Sequence, residues 1–233
     1  MKNPMLGLKS LFYQSNLNHE NMQGTGFAYM AGETAKRVGL ELDAETRFKE
    51  TEYFHTHPYL SSFILGMWVK EYERGGEPDF YKKVYSSAFG ALGDSFFWHS
   101  LRPFCFLIAA IIGFYSPFAG LLAYLIIYNL FHLAFRFSGF KIGYELGRDI
   151  IVFFNRINFN RWPAYMDFGS TFMLGLFLSF LVKKSGVDFN PAVLGVLTVY
   201  LLLGLVVARK VDIIFGLVSC LFLTGFFLYF IGV

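Results

Sequence analysis

Charge is scarce in this sequence. Only 16% of its 233 residues are Asp, Glu, Lys or Arg, against roughly 25% in soluble domains. Hydrophobic residues reach 55%, with 30 phenylalanines, and mean hydropathy is +0.46. A large soluble core is excluded, and the chain reads as an α-helical integral membrane protein. A net charge of +3 is too small to hold nucleic acid. Cysteine is nearly absent. Cys105 and Cys220 each lie inside an apolar run without metal-ligand spacing, so both are expected to be buried, reduced and structural. There is no Walker loop, dinucleotide fingerprint, paired-cysteine site or nucleophile elbow, so no cofactor and no metal is expected. A signal sequence is missing too. Met5-Leu6-Gly7-Leu8 is cut short by Lys9, and the N-terminus is expected to start in the cytoplasm.

The charge that is present is uneven. Up to residue 103 there are 11 basic and 12 acidic residues; from 104 onward there are 9 and 5. The second part is oily and basic, which suits anionic lipid headgroups. Residues 1–233 are read as one membrane domain. Amphipathic and re-entrant helices with polar motifs are expected over 10–103, a hairpin and core helices over 104–182, and C-terminal transmembrane helices over 191–233. Residues 10–38 predict an amide-rich amphipathic helix. Asp43 is a suitable N-cap for a helix over 43–57, which Pro58 ends. The apolar run 59–69 is too short to cross a bilayer, which takes about 20 residues. It reads as a buried, re-entrant or interfacial piece. Residues 70–83, with Gly75-Gly76 and Pro78, read as a loop.

The run 104–135 carries no charge. As one rod it would exceed the roughly 30 Å hydrocarbon core, so Ser116-Pro117 is expected to break it into a hairpin. Gly139, Gly143 and Gly147 recur every four residues, a stripe suited to close helix packing more than to a ligand. Arg148, Arg156 and Arg161, with Trp162 and Tyr165, resemble an interfacial belt. Of the closing apolar runs, Phe168–Val182 is short, Pro191–Ala208 borderline, and Ile213–Val233 long enough to span.

Two polar clusters sit at the edges of oily segments: His55-Thr56-His57-Pro58, and Gly93-Asp94. Such placement suggests broken helices around a polar site, with ordinary turns as the alternative. Asp94 is either a helix cap or a ligand group. His55 and His57 approach each other only on extended backbone. Amides at Asn16, Asn18 and Gln23, with Glu20, offer both donors and acceptors, as a sugar requires.

An ordered string of motifs now carries a resemblance. It comprises Phe12-Tyr-Gln-Ser-Asn-Leu-Asn18 with Glu20, Met22-Gln23 and Gly26-Phe27, then Tyr53-Phe-His-Thr-His-Pro58 and Ile64-Leu-Gly66. Gly93-Asp-Ser-Phe-Phe-Trp98, Leu101-Arg-Pro103, Arg136, Gly139 and Gly143-Tyr144 with Gly147 complete it. Over about residues 10–180 the chain resembles the IID membrane subunit of the mannose/fructose/sorbose family of the bacterial phosphotransferase system. That resemblance implies a multi-pass protein of the bacterial cytoplasmic membrane. It pairs as a hetero-oligomer with a IIC subunit, and the sugar is held between the two. Cytoplasmic IIA/IIB phosphocarriers phosphorylate the incoming hexose-type sugar, and the IID subunit is itself non-catalytic. The implied substrate-binding candidates are Asn16, Asn18, Glu20, Gln23, His55, Thr56 and Asp94. The chain departs from the family pattern at His55, where asparagine is usual, and at His99, where a small residue is usual. A IID-like scaffold that docks phosphocarriers without transporting is the alternative. An unrelated membrane enzyme using His55, His57 and Asp94 is a third.

Overall fold

The computed structural model describes residues 4–186 and Thr198. The expected spans 191–208 and 213–233, and with them Cys220, lie outside the described residues. The chain divides into two compact units, Met1–Phe180 and Leu181–Val233. In the second, the described residues carry the last helix to Ser185.

Helix α1 (Pro4–Lys9) runs into a short 3₁₀ turn, and a looped segment leads to α2 (Gly24–Arg37). The amide-rich residues 14–23 are therefore turns, not the helical face expected over 10–38. Local chemistry explains this. Asn18 Oδ1 accepts from the backbone N–H of Glu20 (2.9 Å) and Asn21 (3.0 Å), so its side chain competes with a helix for those donors. Met22 then adopts φ +53, a left-handed conformation uncommon outside glycine.

Helix α3 is only Ala44–Lys49, with Asp43 accepting from the Thr46 N–H as the expected N-cap. The helix does not continue to 57. Residues 51–58 instead form an extended strap tied to the preceding turn. Gln23 N–H donates to Phe54 O (2.8 Å) and Phe54 N–H to Asn21 O (3.2 Å). Long-range main-chain bonds here outweigh local propensity.

Helix α4 (Ser61–Glu73) absorbs the short oily run and extends through Lys70, so the loop shrinks to residues 74–77. It is the core element. Phe63, Ile64, Leu65, Met67, Trp68 and Val69 are buried, each side chain contributing about 1.5–3 kcal/mol. A helix buried on all sides needs no long span to be stable.

Pro78 starts α5 (Pro78–Gly93). At Gly93-Asp94 the helix does not stop. It widens into a π-helical segment, Asp94–Leu101, and returns to α-geometry as α6 (Arg102–Gly113). Pro103 lies in the first turn of α6, directly after the π segment, so the ladder bond it cannot donate falls where the helix changes geometry. The real break falls at the expected place. Ser116 Oγ accepts from Ala119 N–H (3.3 Å), and Pro117 opens α7 (Pro117–Leu146).

Helices α6 and α7 form a hairpin, and α7 crosses α4 closely. A Cβ on Gly66 would meet the backbone of Phe140 and Tyr144, and one on Gly143 the backbone of Phe63. The glycine stripe therefore serves packing. Gly147, at φ +56, ends α7. Helix α8 (Ile150–Arg156) leads to α9 (Trp162–Ser185). Among the described residues, three helical stretches, Pro78–Gly113, Pro117–Arg156 and Phe159–Lys184, are long and apolar enough to cross a membrane. Cys105 is buried with a free thiol.

Candidate functional site

Lys49 and Glu50 at the end of α3, the strap 51–58, the turn 14–23, one face of α5 and the start of the π segment line a cavity of about 960 Å³ that is open on one side. That is the upper end of the size of small-molecule sites. Its wall includes His55, Thr56, His57, Asp94 and Trp98.

The strap is held rigidly. Gln23 Nε2 donates to Thr56 O (2.9 Å), and Thr56 N–H donates to Gln23 Oε1 (3.1 Å). Thr56 Oγ1 donates to Ser86 O on α5 (2.9 Å). Gln23 is thus a clamp whose amide is occupied at both ends. The floor is braced by a buried ion pair, Lys82 Nζ donating to Glu50 Oε2 (2.5 Å). The Lys82 ammonium also lies 4.2 Å from the Phe27 ring centroid, a cation–π contact. Burial pushes the Glu50 carboxyl up to about 7, against the pull of Lys82.

His57 and His55 part company. His55 is exposed, whereas His57 is buried and stacks on Phe97 with centroids 5.0 Å apart. Gly93 makes that possible, because a Cβ there would overlap the His57 Cβ and ring. Burial pushes the His57 imidazole down to about 3, helped by the charges of Arg136 and His132, so it is neutral at physiological pH. Asp94 opens the π segment, and its carbonyl meets His99 Nδ1 at 2.9 Å. No ion pair joins Asp94 to Arg102 among the described residues. Asp94 and Trp98, four residues apart on this segment, share a helical face and both line the cavity.

Of the candidates named from sequence, the structure brings Gln23, His55, Thr56 and Asp94 to the cavity. It leaves Asn16, Asn18 and Glu20 exposed on the turn, away from the cavity wall. The assembled wall offers hydroxyls, carboxylates, the lysines Lys49, Lys82 and Lys83, the imidazoles of His55 and His57, and Trp98. Hydrogen-bond donors, acceptors and an aromatic side chain are thus present together.

Residues 3–187 match the family model described as the PTS system mannose/fructose/sorbose family IID component. This chain belongs to that IID family. It is 29% identical over 155 residues to the PTS system mannose-specific EIID component of Escherichia coli K12, covering 62% of this chain and 55% of that one. It is 26% identical over 155 residues to the fructose permease IID component of Bacillus subtilis 168, covering 62% and 56%. The chain spans about half the length of the curated relatives it matches. Among solved structures, one titled as a membrane protein aligns with TM-score 0.69 at 20% identity, covering 99% of this chain and 96% of that one. A complex of the mannose transporter ManYZ with a microcin aligns at TM-score 0.55 and 21% identity, covering 98% and 95%. These likenesses establish a shared membrane-protein fold.

Part of the motif string of this IID chain meets in space. Gln14, Leu17, Met22-Gln23, Tyr53–Pro58, Asp94 and Trp98 line the same cavity, while residues 64–66, residues 101–103 and the glycines of α7 do not. Three features escaped sequence reasoning. The Glu50–Lys82 pair joins residues 32 apart, with no local pattern to reveal it. The π segment has no composition of its own. The third was legible: Tyr124, Tyr128, His132 and Arg136 recur every four residues in an otherwise oily run.

Proposed function

We propose that this IID chain is the membrane subunit of a sugar phosphotransferase permease. With a IIC subunit it forms the translocation path for a hexose-type sugar, in the bacterial cytoplasmic membrane as a multi-pass protein. Cytoplasmic IIA/IIB carriers phosphorylate the sugar, and this chain contributes binding groups rather than a phosphorylated residue. The observation that carries the reading is that three separate segments of the motif string, 14–23, 53–58 and 94–98, contribute residues to one polar cavity in a chain of this family. Mannose, fructose and sorbose are the sugars named for its relatives.

Within this reading Asp94 accepts from sugar hydroxyls, Thr56 and His55 line the path, and Trp98 packs against the ring. A carboxylate receiving two hydroxyls gives directional, charge-assisted bonds. Gln23, Glu50 and Lys82 hold the wall and do not touch the sugar.

The test is complementation. In cells stripped of mannose-family permeases, this gene with its neighbouring IIC and IIA/IIB genes is expected to restore phosphorylating uptake of at least one hexose or amino sugar. Failure across the whole panel, with all subunits present in the membrane, would overturn the assignment and favour the non-transporting scaffold.

A further inference from the structure

Beyond His57, on the side away from the cavity, lies a second polar cluster that the site above does not use. Tyr59 is its centre. The His57 ring is edge-on to Tyr59 at 4.9 Å between centroids, and His132 stacks on Tyr59 at 4.1 Å. The Arg136 guanidinium carbon is 5.5 Å from the Tyr59 centroid. The Tyr59 and Tyr128 hydroxyls are 3.5 Å apart.

Three buried polar atoms here have no hydrogen-bond partner among the described residues: His57 Nε2, His132 Nε2 and Arg136 Nε. His57 is 1% exposed and Arg136 5%. Such atoms are rare in folded proteins and costly when left unmet.

Their hydrogen-bonding characters follow from the neighbours. His57 Nδ1 accepts from Tyr59 N–H (3.4 Å), which leaves a proton on Nε2. Asn129 Nδ2 donates to Leu125 O (2.7 Å), fixing the amide, and its Oδ1 meets His132 Nδ1 at 3.2 Å. His132 Nε2 is therefore an acceptor. Arg136 spends Nη1 on Ser10 O, while its Nε–H remains a donor. The two donors and one acceptor belong to side chains that all pack on the Tyr59 ring.

We propose that these three atoms bind a hydroxyl group, one oxygen that both donates and accepts. Its source is either an ordered water or a hydroxyl of the transported sugar; the second source rests on the function proposed above. No anion fits, since His132 presents a lone pair. The stripe continues away from this point. Tyr128 stacks on Tyr124 at 5.8 Å, and Tyr124 borders a smaller cavity of about 350 Å³ near the hairpin turn. His57, Tyr59, His132, Tyr128 and Tyr124 thus connect one cavity to the other along α7.

The test is a structure of the full chain assembled with its membrane partner, at a resolution that shows ordered water, without and with D-mannose. The expected result is one oxygen within hydrogen-bond reach of at least two of the three atoms. If it persists with sugar, the source is water. If a sugar hydroxyl replaces it, the source is the sugar. Absence of any such oxygen in both structures overturns the proposal, whether the three atoms pair with protein groups or not. A kinetic arm separates the sources independently. If sugar supplies the hydroxyl, His132→Phe raises KM for uptake about three- to tenfold, the loss of one neutral hydrogen bond, with Vmax unchanged. If water supplies it, KM is unchanged. A chain that transports no sugar would defeat the proposed function but leave the oxygen test readable.

Discussion

Single atoms decide the geometry of the cavity wall. Gly93 has no side chain, and that lets His57 lie against the π segment. Gly93→Ala drives a methyl into the imidazole and is expected to cost about 1–3 kcal/mol, as overpacking does. Thermal unfolding in detergent checks this, with Gly113→Ala as the control, since a Cβ there meets nothing. Two buried groups on the wall also respond to pH in opposite senses. Glu50 is raised to about 7, so the folded state holds its proton longer than the unfolded chain. Its contribution is complete at low pH and is lost as pH rises towards 7. His57 is lowered to about 3. Its contribution is complete above the unfolded value near 6.5 and is lost as pH falls. The two slopes oppose each other, so each is read as a difference from wild type. Glu50→Gln is expected to gain stability relative to wild type between pH 5 and 8. His57→Phe is expected to gain it between pH 7 and 5. Flat differences in midpoint across those ranges would contradict the assigned shifts.

At the scale of elements, two devices position the site. The first is the α4–α7 crossing. Gly66 and Gly143 face backbone, which cannot move aside. Gly66→Ala and Gly143→Ala are each expected to lose about 1–3 kcal/mol and to lower the yield of folded chain on size exclusion. This crossing was legible in the four-residue glycine spacing. So was the hairpin break at Ser116-Pro117, because proline acts locally. Ser116→Ala is expected to cost about 1 kcal/mol, the worth of an N-cap. The second device is the π segment. Nothing in Asp94-Ser-Phe-Phe-Trp98 announces it, because a π turn is set by packing of Phe96 and Phe97 against distant rings. The strap 51–58 was misread as helix for a similar reason. Its partner is the turn at 21–23, and a contact across 30 residues leaves no periodicity. The same turn drew Gln23 into the wall and left Asn16, Asn18 and Glu20 outside. Composition alone had grouped all four.

For the whole molecule, helix length and the proposed multi-pass topology together give an expected level for the site. About 20 helical residues cross the hydrocarbon core. Counting back that far from the turn at Phe114–Ser116, through α6 and the π segment, reaches Asp94; counting forward along α7 reaches Arg136. On the proposed multi-pass topology both polar groups are expected near one face of the membrane, opposite the hairpin turn. The α5 portion of the span Pro78–Gly113 projects beyond that face. Single cysteines placed at Ser87 and Tyr115 are expected to react with a membrane-impermeant maleimide from opposite sides of the membrane. Labelling of both from one side would refute this placement.

The proposed function requires the cavity between the strap and the π segment to hold the sugar. The most direct measurement is equilibrium binding of a radiolabelled hexose to the purified assembled complex, for wild type and Asp94→Asn. Losing a hydrogen bond to a charged group is worth about 1.5–3 kcal/mol. Asp94→Asn is therefore expected to weaken binding roughly ten- to hundredfold, with assembly intact. Equal affinity in both complexes would contradict the account.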